Sequence, residues 1–281
     1  MTNKIKIVTD STSDLPLEYI NEHKIKVIPL YVNFPDATYK DGVDLTPKDF
    51  YTLLKNSKDT LPKTSTPTRQ DFMDTYKPLI EEGFEIISIH ISSGLSSTFS
   101  IAQAAAKTVS DRIHVFDSKS ISLGIGLQVM EAVDMIKQGL HFQEISDSLL
   151  HLRQRTEVLF SIDTLEYLQK GGRIGKVSSL VGSILNIKPV IRVEDGIYVP
   201  LDKVRNQKQA IKKKVDYMAK VLGDLPPRYV AVAHGAAEEA AYCLKELVES
   251  TFGIKVEVLQ ETGPVIGVHT GPGTLGLAFT Y

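Results

Sequence analysis

Short β-branched runs alternate with stretches of helical periodicity along the whole 281-residue chain, and few folds accommodate that pattern. Strand-like runs occupy residues 4–9 (KIKIVT), 27–34, 85–91 (EIISIHI) and 113–116. Helical patterns fall at 15–21, 69–82, 98–109, 121–137 and 142–154, and Phe72, Tyr76, Leu79 and Ile80 mark one apolar face. Thr46-Pro47 reads as an N-cap followed by proline at the first helical position. The second half repeats the alternation: a strand at 158–162, helices at 165–170 and 177–185, and a hairpin of 190–193 with 197–201 around Asp195-Gly196. A basic helix at 206–221, a strand at 229–233, a helix at 236–250 and a strand at 255–259 follow, and the apolar segments 265–268 and 277–279 end the chain. We expect an α/β protein of two α/β domains with mainly parallel sheets, residues 1–156 and 157–281, the last strand free to return to the first sheet. In such sheets ligands gather at the carboxyl ends of strands.

Composition narrows the functions. The formal net charge is −2, which argues against a general binder of nucleic acid or membrane surface. The single cysteine, Cys243, cannot form an intramolecular disulfide, and we expect it to be a buried thiol. The opening residues enter a strand without an apolar leader, and no apolar run reaches the ~20 residues that span a bilayer, so the expected location is cytoplasmic.

Five polar turns lie just after strands or just before helices: 10–14 (DSTSD), 63–67 (KTSTP), 92–97 (SSGLSS), 171–175 (GGRIG) and 264–276 (PVIGVHTGPGTLG). Hydroxyl-rich turns that open helices suit anions, because O–H and N–H groups converge there; each also suits a simple cap or turn. Residues 271–276 fit a dinucleotide glycine pattern, but too little chain follows for its helix and second strand. Residues 171–176 are too short for a phosphate loop, and Val177 stands where a magnesium-binding hydroxyl belongs. The seven histidines show no metal-ligand spacing, and Asp10 and Asp14, set around a turn before Pro16, suit helix capping better than metal binding.

Taken together, these turns resemble the motifs of the DegV family, in the family's order. They are the N-terminal DSTSDL at 10–15, the T-S-x-P loop at 64–67, the S-S-x-L-S turn at 92–96, the K-G-G-R-I segment at 170–174 and the closing G-P-V-x-x-x-H stretch from Gly263. Thr66 replaces the usual Gln of the T-S-x-P loop, and Ser97 a common Gly. The resemblance implies a lipid held between the two domains. It also implies a role as the fatty-acid-binding subunit of a bacterial fatty acid kinase, whose catalytic subunit converts the bound long-chain fatty acid to an acyl phosphate for phospholipid synthesis. By the same resemblance, Thr64, Ser96, Arg173 and His269 bind the carboxylate, with Ser65 and Ser93 as adjacent alternatives, and Arg173 with Arg205 contacts the kinase. No cofactor, metal or catalytic residue of its own is implied beyond the bound acid.

The residue types suit that task. Hydroxyls can hydrogen-bond a desolvated carboxylate without adding charge, an arginine supplies a fixed cation nearby, and His269 can bridge them or carry a proton near neutral pH. A tail of ~15 buried methylenes gains about 12 kcal/mol gross, much of it offset by ordering. Candidate tunnel walls are the helix at 121–135 (Leu123, Ile125, Leu127, Met130), where Gly124 and Gly126 leave room for a chain, and residues 180–187; ordinary core packing explains each equally. Lys208, Lys212, Lys213, Lys214 and Lys220 form either a solvated helix face or, with Arg205, a patch for the kinase or a transient membrane contact. The rival readings are a serine hydrolase or acyltransferase using Ser96 with His269, and a binder of a small phosphorylated or hydroxylated compound.

Overall fold

The computed structural model describes residues 4–56, 61–181 and 187–281. The first half runs β1 (Ile5–Asp10), α1 (Leu17–Glu22), β2 (Lys26–Ile28), β3 (Tyr31–Asn33), β4 (Thr38–Lys40), α2 (Pro47–Asn56), β5 (Lys63–Ser65), α3 (Arg69–Glu81), β6 (Glu85–His90), α4 (Thr98–Val109), β7 (Ile113–Asp117), α5 (Leu123–Lys137) and α6 (Phe142–Gln154). The second runs β8 (Thr156–Ser161), α7 (Glu166–Lys170), β9 (Lys188–Glu194), β10 (Ile197–Val204), α8 (Gln207–Leu222), β11 (Tyr229–His234), α9 (Glu238–Phe252), β12 (Val258–Glu261), α10 (Pro264–Thr270) and β13 (Leu275–Thr280).

Three sheets organise these elements. The first, β2-β1-β6-β7, is wholly parallel, as strand–helix alternation requires. The second, β10-β9-β8-β13-β11-β12, is mixed: only β11 and β12 pair in parallel. Its antiparallel part comes from the β9–β10 hairpin and from β13, which inserts between β8 and β11 and does not rejoin the first sheet. A small antiparallel sheet, β4-β3-β5, packs with α2 and α10 around Leu30, Val32, Phe50, Val265 and Val268.

Several local expectations change. The run 27–34 is two strands in different sheets, because Pro29 has no N–H to continue a ladder. Residues 175–180 form a 3₁₀ turn; the rest of the helix expected at 177–185 and the wall expected at 180–187 fall largely outside the described residues. The apolar segment 265–268 is helical, because Gly263 is extended and Pro264 occupies the first turn. Cys243 is exposed: α9 buries Ala241, Leu244 and Val248, and position 243 falls on the other face.

The α5 helix is the spine of the molecule. Every residue from Leu123 to Val133 is buried, since the first sheet packs on one side and the second on the other. The helices α3 and α4 cover the far face of the first sheet, and α8 and α9 that of the second. On β8, Val158 and Phe160 face α5 while Leu159 faces α8 and α9, the two-residue period of a strand. The glycines of α5 allow this close packing. A side chain at Gly126 would lie 2.8 Å from Ser13 O, and one at Gly124 would strike Ser120 and Val158. The space they free is filled by the protein itself, not by a passage for a ligand.

Candidate functional site

The small sheet brings Thr64 to α10. β5 is antiparallel to β3, and this register turns Thr64 inward and Ser65 outward. The Thr64 hydroxyl lies 2.9 Å from Nε2 of His269, on the last turn of α10. Burial, then the nearby Arg173, pushes the His269 pKa down to about 4, so the ring is neutral at pH 7 and does not carry a proton there. Its Nδ1 has no hydrogen-bond partner among the described residues and faces Gly171, which has no room for a side chain. A buried N–H without an acceptor is the costlier orphan, so the proton belongs on Nε2, donating to Thr64. The Thr64 hydroxyl hydrogen is then free for a third group.

Arg173 brings in the turn at 92–97. Its Nε–H donates to Leu95 O at 3.2 Å and its Nη1–H to Gly171 O at 2.8 Å. One guanidinium therefore ties the end of the first sheet to the segment packed against His269. The same turn is pinned to the β9–β10 hairpin, where the Ser92 hydroxyl donates to Gly196 O at 2.7 Å. Ser96 is half-buried beside this bracket, its hydroxyl 2.8 Å from that of Thr98. Thr64, His269, Arg173 and the Ser96 turn thus form one chain of contacts across the three sheets.

Other expected residues lie apart from it. Ser65 is exposed and accepts from Asn33. Ser93 is exposed and accepts from Lys119 Nζ at 2.8 Å, while its backbone N–H donates to Asp117. Neither is joined to the Thr64–His269 pair by a hydrogen bond among the described residues. Arg205 is exposed at the end of β10; its backbone N–H donates to Gln209, and among the described residues its side chain forms no ion pair. Ser96 and His269 are each engaged elsewhere, so the nucleophile–base pair of a hydrolase is not formed. Lys214 leaves the basic face altogether: it is fully buried on Ser161 Oγ at 2.7 Å, while Lys212 and Lys213 pair with Asp216 and Asp202.

An apolar cavity adjoins the cluster, and α10 belongs to both. Ile266 and Thr270 face the cavity, and His269 faces Thr64. The second sheet supplies small residues as its floor, Ala233, Gly276 and Ala278; Ile121, Leu123, Val158 and Phe160 complete the apolar wall. The open space between these walls is only about 30 Å³, far less than an alkyl chain fills, so a bound chain requires the walls to move apart. Its hydroxyls are turned away. Thr262 bonds Tyr51, Thr270 donates to Ile266 O, Thr274 to Gly271 O and Ser122 to Asp14, so methyl and methylene groups remain to line the space. Of the expected wall residues, Leu123 lines it, while Ile125, Leu127 and Met130 belong to the core around α5.

A family model for uncharacterised DegV proteins matches residues 4–281. The chain belongs to the DegV family. A DegV domain-containing protein of Staphylococcus aureus is 40% identical over 99% of this chain and 98% of its own. The fatty-acid-binding DegV protein of Thermus thermophilus superposes with a TM-score of 0.92 at 33% identity, covering 99% of each chain. A stearic-acid-binding protein of Eubacterium ventriosum superposes at 0.91 with 30% identity, covering 98% of each. The α/β architecture of this DegV chain is thus that of its family. Sequence reasoning missed the Thr262–Tyr51 bond and the small-residue floor, although alternating small residues on β11 and β13 are the signal for the latter.

Proposed function

We propose that this DegV chain binds a long-chain fatty acid, tail in the apolar cavity and carboxylate at the Thr64–His269 pair, and presents it in the cytoplasm to the catalytic subunit of a fatty acid kinase. The observation that carries the reading is a neutral histidine that fixes a threonine hydroxyl beside a cavity whose own hydroxyls all point elsewhere. In this arrangement Nε2–H of His269 donates to Thr64 Oγ1, and the Thr64 hydroxyl donates to one carboxylate oxygen. Ser96 supplies a second donor from the adjoining turn. Hydroxyl donors hold the acid without protonating it, so it stays nucleophilic. Its free oxygen then attacks the γ-phosphorus of a nucleoside triphosphate on the kinase, the nucleoside diphosphate leaves, and an acyl phosphate forms. The kinase supplies the phosphate-binding groups and metal, and this chain supplies orientation.

The kinase step stands on the family motifs and on Arg205, which is exposed and forms no ion pair among the described residues. Solvent extraction of the purified protein, with identification of the released compound by mass, tests the lipid. Reconstitution with a fatty acid kinase catalytic subunit and ATP, trapping acyl phosphate as hydroxamate, tests the presentation. A released acid and hydroxamate formation that falls in Arg205→Ala support the reading; hydrolysis of chromogenic esters, lost in Ser96→Ala, would replace it with the hydrolase.

A further inference from the structure

The DSTSD motif at 10–14 takes no part in the carboxylate site, yet two buried carboxyls at and near it hold one wall of the cavity. Asp14 accepts the Ser122 hydroxyl at 2.5 Å and the Gly263 N–H at 2.9 Å. Asp41 accepts the Ser11 hydroxyl at 2.8 Å and the backbone N–H of Val265. The two converge on Gly263, where a side chain would lie 3.0 Å from Asp14 Oδ1 and 3.1 Å from Asp41 Oδ1. What they hold is the joint between the start of α5 and the start of α10. Ile121, Ser122, Thr262 and Ile266 line the cavity there.

The joint is under tension. Ser122 has φ 52 and ψ −138, and Asp14 has φ 50, a region that disfavours side chains. Aspartate tolerates this left-handed conformation, whereas Ser122 is held in its strained one against intrinsic preference, and its hydrogen bond to Asp14 helps to keep it there.

We propose that Asp14 and Asp41 form a proton-dependent latch, which holds α5 and α10 together over the cavity while a proton remains on the pair and lets them part when both carboxyls ionise. The inference rests on the reading that an acyl chain occupies this cavity. In the closed state Asp14 accepts from Gly263 through one oxygen, and a proton carried on the other turns the Ser122 contact round, so that the carboxyl donates and the hydroxyl accepts. Loss of the last proton to solvent leaves two like charges in a dry site. Among the described residues neither carboxylate forms an ion pair. The groups that face them carry no balancing cation either: Asp10 on β1, itself bonded to His90 of β6, and Tyr51 on α2, while α5 offers only the Ser122 hydroxyl. Burial, then its neighbours Asp41 and Asp10, lifts Asp14 to about 8 against the pull of its hydrogen bonds; burial likewise lifts Asp41 to about 7. The sign follows. Both groups hold protons that the open, hydrated carboxyls release, so their contribution to closure is fully present below the ordinary carboxylate value of 3.8, declines as pH rises, and is gone above about 8.

The test is the release of bound cis-parinaric acid to excess albumin, followed by stopped flow at pH 6 and pH 9 in the full chain and in Asp14→Asn. Asparagine reproduces the protonated pattern with one acceptor and one donor. The native chain should release the probe about tenfold faster at pH 9, and Asp14→Asn should differ by less than about twofold, since tenfold corresponds to about 1.4 kcal/mol. Amide hydrogen exchange over residues 121–125 and 262–266, corrected for intrinsic rates, reads the latch without ligand. These segments should open at pH 9 in the native chain and stay protected in Asp14→Asn. Asp41→Asn, which neutralises the other half of the pair, should behave alike and guards against a folding defect. Equal pH dependence of exchange in all three chains overturns the latch. A chain that never binds the probe overturns the fatty-acid reading, and the exchange data then still decide the latch.

Discussion

The Thr64–His269 pair separates what a residue type can do from what its surroundings let it do. Histidine invites a proton-transfer role, but burial and Arg173 hold His269 neutral. Its folded pKa is depressed, so its share of stability is present above the ordinary histidine range and is lost as pH falls through about 4. Imidazole nitrogen shifts of His269 should therefore stay constant from pH 9 to about 5; titration near 6.5 would show the ring to be open to water. The hydroxyl it orients is the measurable part. Thr64→Val keeps the shape and removes the donor, and should weaken fatty-acid binding by about 1–3 kcal/mol, read by calorimetry. Unchanged affinity would remove Thr64 from the site. Arg173 serves two backbone carbonyls at once, which a lysine ammonium cannot match in geometry.

Among the elements, α8 shows why a pattern of charge misleads. Five lysines along it suggest a solvated face, but Lys214 falls in register with Ala210, Ile211, Val215 and Met218 and is buried with them. Helical period placed it correctly; its charge argued otherwise. Burial lowers its pKa to about 7, with Lys188 adding to the effect. The unfolded chain binds this proton up to about pH 10.5 and the folded chain does not, so the penalty grows as pH falls toward 7. Lys214→Met should stabilise the protein by about 1–4 kcal/mol near pH 6, less the cost of an unpaired Ser161 hydroxyl, and by less at pH 10. Chemical denaturation at both pH values checks this; destabilisation at pH 6 would mean the amine is better solvated than its burial indicates.

The same logic explains which elements were legible. The helices at 69–81 and 98–109 and the strands β1, β6 and β7 of the first sheet follow from period alone. The helix at 264–270 did not, because β-branched residues there obey packing against α2 and β3 instead of propensity. Of the site, the hydroxyl-rich turns were visible as turns. Their convergence depends on α10 crossing to the small sheet and on Arg173 reaching backbone carbonyls, contacts between residues 78 and 205 positions apart that no local pattern encodes.

At the scale of the whole molecule, two sheets share one helix as their common core, and the cavity is the place where their packing is deliberately incomplete. At the slot β11 and β13 turn Ala231, Ala233, Gly276 and Ala278 toward α5, while Val230, Val232 and Phe279 pack toward α8 and α9, and the missing volume is the slot. Fatty-acid binding therefore reduces to whether this slot takes the chain. Among the described residues no helix is long and apolar enough to cross a membrane.

Native mass spectrometry of the purified protein and of Ala233→Leu, after growth with added fatty acid, tests that claim most directly. The account predicts an adduct of about 250–285 Da, as for a ~16–18-carbon acid, on the native chain and its loss from a folded Ala233→Leu, whose added methylenes occupy the floor. An adduct retained equally by both chains, or absent from the native one, would contradict it.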